Sequence, residues 1–101
     1  MPTANVHLPL DRIADFCRRW KITEFSLFGS VLRDDFRPDS DVEVLVTFAP
    51  QATWSLFDLV DMRDQLQQMF ARDVDLVEEA GLGNPFRRAA ILSEKQVIYA
   101  A

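Results

Sequence analysis

Asp41 and Glu43 stand two residues apart in Asp41-Val42-Glu43-Val44-Leu45-Val46-Thr47-Phe48, the strongest strand signal in the chain. Residues two apart in a strand project to the same face. The two acids therefore point together, while Val42, Val44 and Val46 point to the opposite, apolar side. Two like charges roughly 5 Å apart repel by about 3 kcal/mol at an effective dielectric of 20. Magnesium would offset that cost in a strand of such core character, because it takes oxygen ligands and completes its shell with substrate phosphates. A solvent-facing strand end, where neighbouring acids cost little, is the alternative. Asp75, in Arg72-Asp73-Val74-Asp75-Leu76-Val77, supplies a third carboxylate if its strand lies beside the first. Three carboxylates can hold two cations, one at an attacking oxygen and one at the phosphates of a leaving group. One of the acids must also draw a proton from the nucleophile. Asp73 reads as a solvated strand start beside Arg72.

Gly29-Ser30 is the other element with chemical potential. Glycine lets the backbone approach a phosphate closely, and serine adds a hydroxyl donor. Free N–H groups at a following helix start would face an anion. Arg33 could reach the same phosphates or, flanked by Asp34 and Asp35, form a surface ion pair. Taken alone, a Gly-Ser pair is an ordinary turn.

The elements that must position these residues follow from periodicity. Leu10, Ile13, Ala14, Cys17 and Trp20 form one apolar stripe of an amphipathic helix, opposite Asp11, Arg12, Asp15, Arg18 and Arg19. Cys17 lies on that stripe and reads as a core thiol, and His7 as a tail residue. Residues 22–28 predict a strand, 31–36 a turn or two of helix stopped before Pro38, and 41–48 the second strand. Ser55 and Asp58 form a start resembling a capping box for a helix running to about residue 70, followed by a strand over 74–77. Asn84-Pro85 is an N-cap with proline at the first helical position, opening a helix that ends near Ser93; residues 95–99 form the last strand. The order α-β-α-β-α-β-α-β predicts an α/β (α+β) fold, a mixed sheet of about four strands covered by helices.

Composition bounds the function classes. The 101 residues are 49% hydrophobic, 11% aromatic and 27% charged, which is a globular composition sized for one domain over residues 1–101. Eleven basic against 16 acidic residues give a net charge of -5, which disfavours extended DNA or RNA while leaving room for a nucleotide on a small basic patch. One cysteine and one histidine argue against a disulfide and a zinc site. With neither a leader pattern nor a window suited to a membrane span, the expected location is the cytoplasm, with no membrane partner.

Gly29-Ser30, ten intervening residues, then Asp41-x-Glu43 in an apolar strand resembles the signature of the DNA polymerase beta-like nucleotidyltransferases. Ser26 to Arg33, Pro38 to Val46, Asp73 to Val77 and the ending Asn84-Pro85…Ile91-Leu92…Val97-Ile98-Tyr99 look like its minimal, single-domain branch. The resemblance implies that Gly29 and Ser30 hold the phosphates of ATP, with Arg33 beside them. It implies that Asp41, Glu43 and Asp75 ligate two Mg2+ ions, Asp75 also helping to activate the attacking hydroxyl. The reaction would be attack on the α-phosphate, transfer of a nucleoside monophosphate and release of pyrophosphate. Glu43 departs from the commoner Asp, a longer arm expected to affect rate more than binding; Asp34 departs from a Gly that often follows the Arg. The 101 residues leave no room for an acceptor-gripping domain, so the acceptor is expected on another chain. The minimal branch is similar to the antitoxins of HEPN ribonuclease toxins, which adenylylate a tyrosine of the toxin. A contact-only antitoxin is the second reading, favoured by Glu43 and an acidic surface that could mask a basic ribonuclease. Transfer to RNA or to a small molecule with a separate helical subunit is the third.

Overall fold

In the computed structural model, which describes residues 6–34 and 36–101, the elements run α1 (Leu10–Arg19), β1 (Ile22–Phe28), β2 (Val42–Phe48), α2 (Leu56–Phe70), β3 (Val74–Glu78), α3 (Pro85–Glu94) and β4 (Gln96–Ala100). The strands form one sheet in the order β3-β2-β1-β4. β1 is antiparallel to both β2 and β4, whereas β2 and β3 are parallel, so the predicted mixed four-stranded sheet is the observed one.

Alternation along β2 sorts the two faces. Val42, Val44 and Val46 are buried with Phe25 and Leu27 of β1 against Ile13, Phe16 and Cys17 of α1 and Met62, Leu66 and Phe70 of α2. On the other face Phe28 and Leu45 pack with Ile91 of α3 and Leu82, joined by the partly buried Val77. Two helices thus cover one side of the sheet and α3 covers the other. Phe16, absent from the predicted stripe, packs edge-on against Phe25 with ring centroids 6.4 Å apart, while Leu10 is left 54% exposed. Four-residue spacing from Phe16 to Trp20 places both on the buried side.

Helix starts follow the predicted local chemistry. The Ser55 side chain accepts from the Asp58 N–H and the Asp58 carboxylate accepts from the Ser55 N–H, a complete capping box. Asn84 accepts from the Phe86 and Arg87 N–H groups, with Pro85 at the first helical position. Helix ends are less readable, because Lys21 (φ 57°) and Ala71 (φ 55°) take left-handed conformations that glycine ordinarily fills. The helix expected over 31–36 is instead a 3-10 turn at Gly29–Leu32. It begins two residues earlier, the Arg33 N–H closes back on the Ser30 carbonyl at 2.9 Å, and Arg33 itself is extended. Asp35 and residues 1–5 lie outside the described residues, so the expected Asp35 ion pair and the N-terminal reading do too. No helix among the described residues is long and apolar enough to cross a membrane.

Cys17 is fully buried, and desolvation pushes its thiol up to about 12 against a small opposing pull from Arg18. The native thiol is expected to resist Ellman's reagent at pH 8 and to react once denaturant is added. Rapid reaction of the native protein would contradict the placement of α1.

Candidate active site

Strand register assembles the site on the α3 side of the sheet. The parallel ladder sets Glu43 opposite Asp75, and it starts where the Val42 N–H donates to the Asp73 carbonyl at 2.9 Å. The antiparallel ladder sets Phe28 opposite Glu43, so the chain leaving β1 enters the Gly29–Leu32 turn beside that acid. Asp41 is exposed and immediately precedes β2 rather than lying inside it as expected. Asp73 is exposed at the start of β3, as its reading as a solvated strand start anticipated.

Gly29 is required twice at this corner. Its φ of 76° is a left-handed conformation that side chains disfavour, and a Cβ there would stand 1.6 Å from Oε2 of Glu43. The Glu43 carboxylate therefore fills the space that a side chain at 29 would need. From there its Oε2 accepts the Ser30 N–H at 3.4 Å. Aspartate, one methylene shorter, has less reach, which gives the Glu-for-Asp departure a structural counterpart.

Glu94, the last residue of α3, completes the corner. Its Oε1 accepts the Gly29 N–H at 3.1 Å, and its Oε2 lies 3.8 Å from the Arg33 guanidinium. Sequence reasoning missed Glu94. The available signal was an acid at a helix C-terminus, where the macrodipole disfavours negative charge. Arg72 was also missed as a positioning group. It donates to the Arg37 and Ser40 carbonyls at 2.8 and 3.2 Å and lies 4.3 Å from the Phe36 ring centroid. Arg72 thereby ties the segment leading into Asp41 to the start of β3.

Burial pushes the Glu43 carboxyl above the usual carboxylate range; the Ser30 N–H and Arg33 oppose that rise, and Asp75 and Glu94 add to it. No ion pair among the described residues involves Asp41 or Asp75. No three acidic, histidine or cysteine side chains among them converge closely enough to hold one metal ion. Magnesium, however, is commonly bound through one or two carboxylates plus substrate phosphates. Paired Glu43 and Asp75, with Asp41 at the strand start, are hard oxygen donors of the right kind for such an ion. A separate pocket between α1 and α2, lined by Arg12, Phe16, Arg19, Gln65 and Gln68, lies on the opposite face of the sheet.

A raised carboxyl destabilises the fold where it is ionised, and the penalty disappears once both states are protonated. Without divalent cations, Glu43→Gln should be more stable than wild type at pH 7 in urea titrations. That advantage should shrink as the pH falls through the raised folded value of Glu43 toward the ordinary carboxylate range. A pH-independent difference would contradict the electrostatic account.

The nucleotidyltransferase domain family model matches residues 10–98. The protein adenylyltransferase MntA of Thermococcus cleftensis is 28% identical over 81 residues, spanning 80% of this chain and 77% of that protein. A solved structure described as that of a minimal nucleotidyltransferase superposes with a TM-score of 0.71 at 32% identity, covering 86% of each chain. The MNT antitoxin in complex with the tri-AMPylated HEPN toxin of Shewanella oneidensis shares the fold, with a TM-score of 0.66 at 19% identity over 91% of this chain and 70% of that one. The carboxylate pair across a parallel ladder, the glycine turn beside it and these matches agree: this chain belongs to the nucleotidyltransferase domain family, as a minimal member of the DNA polymerase beta-like superfamily similar to the antitoxins of HEPN toxins.

Proposed function

We propose that this chain is an antitoxin that moves AMP from ATP to a tyrosine hydroxyl of a HEPN-type ribonuclease toxin in the cytoplasm. The observation that carries the reading is the register placing Glu43 opposite Asp75 beside the Gly29–Leu32 turn. The protein adenylyltransferase name of one relative and the AMPylated toxin bound to another add support.

In this reading the Gly29 and Ser30 N–H groups, with Arg33, receive the triphosphate. The attacking hydroxyl oxygen forms a bond to the α-phosphorus as the bond from that phosphorus to the bridging oxygen breaks. Pyrophosphate leaves with the electron pair, and Asp75 takes the hydroxyl proton. Asp41, Glu43 and Asp75 would hold two Mg2+ ions, whose chemistry is to neutralise phosphate charge and polarise the attacking oxygen. A Glu43 carboxylate engaged with such an ion would release the Ser30 N–H, a donor then open to phosphate. Arg72 fixes the segment that leads into Asp41.

The test is intact mass spectrometry of the protein that co-purifies with this chain, after incubation with Mg-ATP. Wild type should add one or more AMP units to the partner, and Asp41→Asn and Asp75→Asn should slow transfer by roughly 100-fold or more. A bound partner of unchanged mass with every variant would overturn the transferase reading in favour of neutralisation by contact.

A further inference from the structure

Glu94 is in an unfavourable place for an acid. It ends α3, where the exposed carbonyls of the last turn give a negative pole. Two groups compensate: the Gly29 N–H at 3.1 Å and the Arg33 guanidinium at 3.8 Å. Both are groups that the proposed function assigns to the nucleotide's phosphates. A backbone N–H at a glycine turn together with an arginine is a recognition set for an oxyanion, and a carboxylate is the oxyanion that proteins carry themselves. The chain reaching Glu94 is held firmly enough to keep it there. Lys95, the next residue, pairs with the Glu24 carboxylate of β1, and Arg88 on the same helix donates to the Glu79 carbonyl at 3.0 Å.

We infer that Glu94 is an internal competitor for triphosphate, a residue of the nucleotide site that sets affinity by occupying the Gly29 amide and Arg33 until a phosphate displaces it. The inference rests on the Gly29–Ser30 turn being the phosphate cradle. Glu94 is 44% exposed at its side chain, so it can swing into solvent when displaced without burying an unpaired charge. Its own negative charge also repels an arriving phosphate, so the competition has a steric and an electrostatic part. Glutamine at 94 would keep an oxygen for the Gly29 N–H and remove only the electrostatic part. Alanine would remove both.

The experiment is calorimetric titration of the full chain with Mg-AMP-PNP and, separately, with adenosine, for wild type, Glu94→Gln and Glu94→Ala, each shown to be folded by circular dichroism. AMP-PNP is expected to bind roughly threefold to tenfold more tightly to Glu94→Gln than to wild type, and at least as tightly again to Glu94→Ala. Adenosine, which carries no phosphate, should bind all three alike, a split that a merely structural role for Glu94 would not produce. AMP-PNP binding that is unchanged or weaker in Glu94→Gln overturns the inference while leaving the nucleotide site intact, and so does an equal gain for adenosine. Failure of wild type and both variants to bind AMP-PNP overturns the cradle reading and the competitor with it.

Discussion

The parallel pairing of β2 with β3 is the constraint on which the rest depends. Parallel neighbours cannot be joined by a tight turn, so the chain must cross over one face of the sheet and return. Here α2 makes the crossing, and Met62, Leu66 and Phe70 hold it against the valines of β2. With the apolar side of each strand committed to that core, strict alternation sends Glu43 and Asp75 to the other face. The register then sets them opposite each other. A slip of one residue would bury both acids and expose the valines. Burial of the core thus enforces a like-charge pair that would not assemble by itself.

The strain so created is relieved by the Gly29–Leu32 turn and Arg33, while Glu94 at the end of α3 adds to it. The missing side chain at Gly29 leaves room for the Glu43 carboxylate, and the turn offers two N–H groups, one to Glu43 and one to Glu94. Arg33 adds positive charge between them. The corner is therefore a set of anions gathered around a few donors. A triphosphate would bring its own negative charge and take over the donors that Glu43 and Glu94 hold, and the freed Glu43 carboxylate would then be a hard oxygen donor open to a divalent ion.

Much of this was legible from residue type and spacing. The alternation in β2, the Ser55–Asp58 and Asn84-Pro85 helix starts, and the acids at 43 and 75 all obey local rules, and local rules were enough to find them. Long-range features escaped. Glu94 lies 65 residues from Gly29, and Arg72 lies 35 residues from the carbonyl of Arg37 that it holds. No spacing pattern connects such positions before the sheet is built. The left-handed Lys21 and Ala71 escaped for a different reason, because the fold imposes on them a conformation their side chains do not favour. The expected turn or two of helix over 31–36 gives way to the short 3-10 turn, whose closure between Ser30 and Arg33 leaves Arg33 extended.

The central claim is that the Gly29–Ser30 amides are where phosphate binds. Its most direct test is amide chemical-shift mapping of the 15N-labelled chain during titration with Mg-AMP-PNP. The account predicts the largest changes at Gly29 and Ser30, with smaller ones at Glu43, Asp75 and Glu94 around them. Changes concentrated instead on Arg12, Arg19, Gln65 and Gln68, across the sheet between α1 and α2, would contradict it.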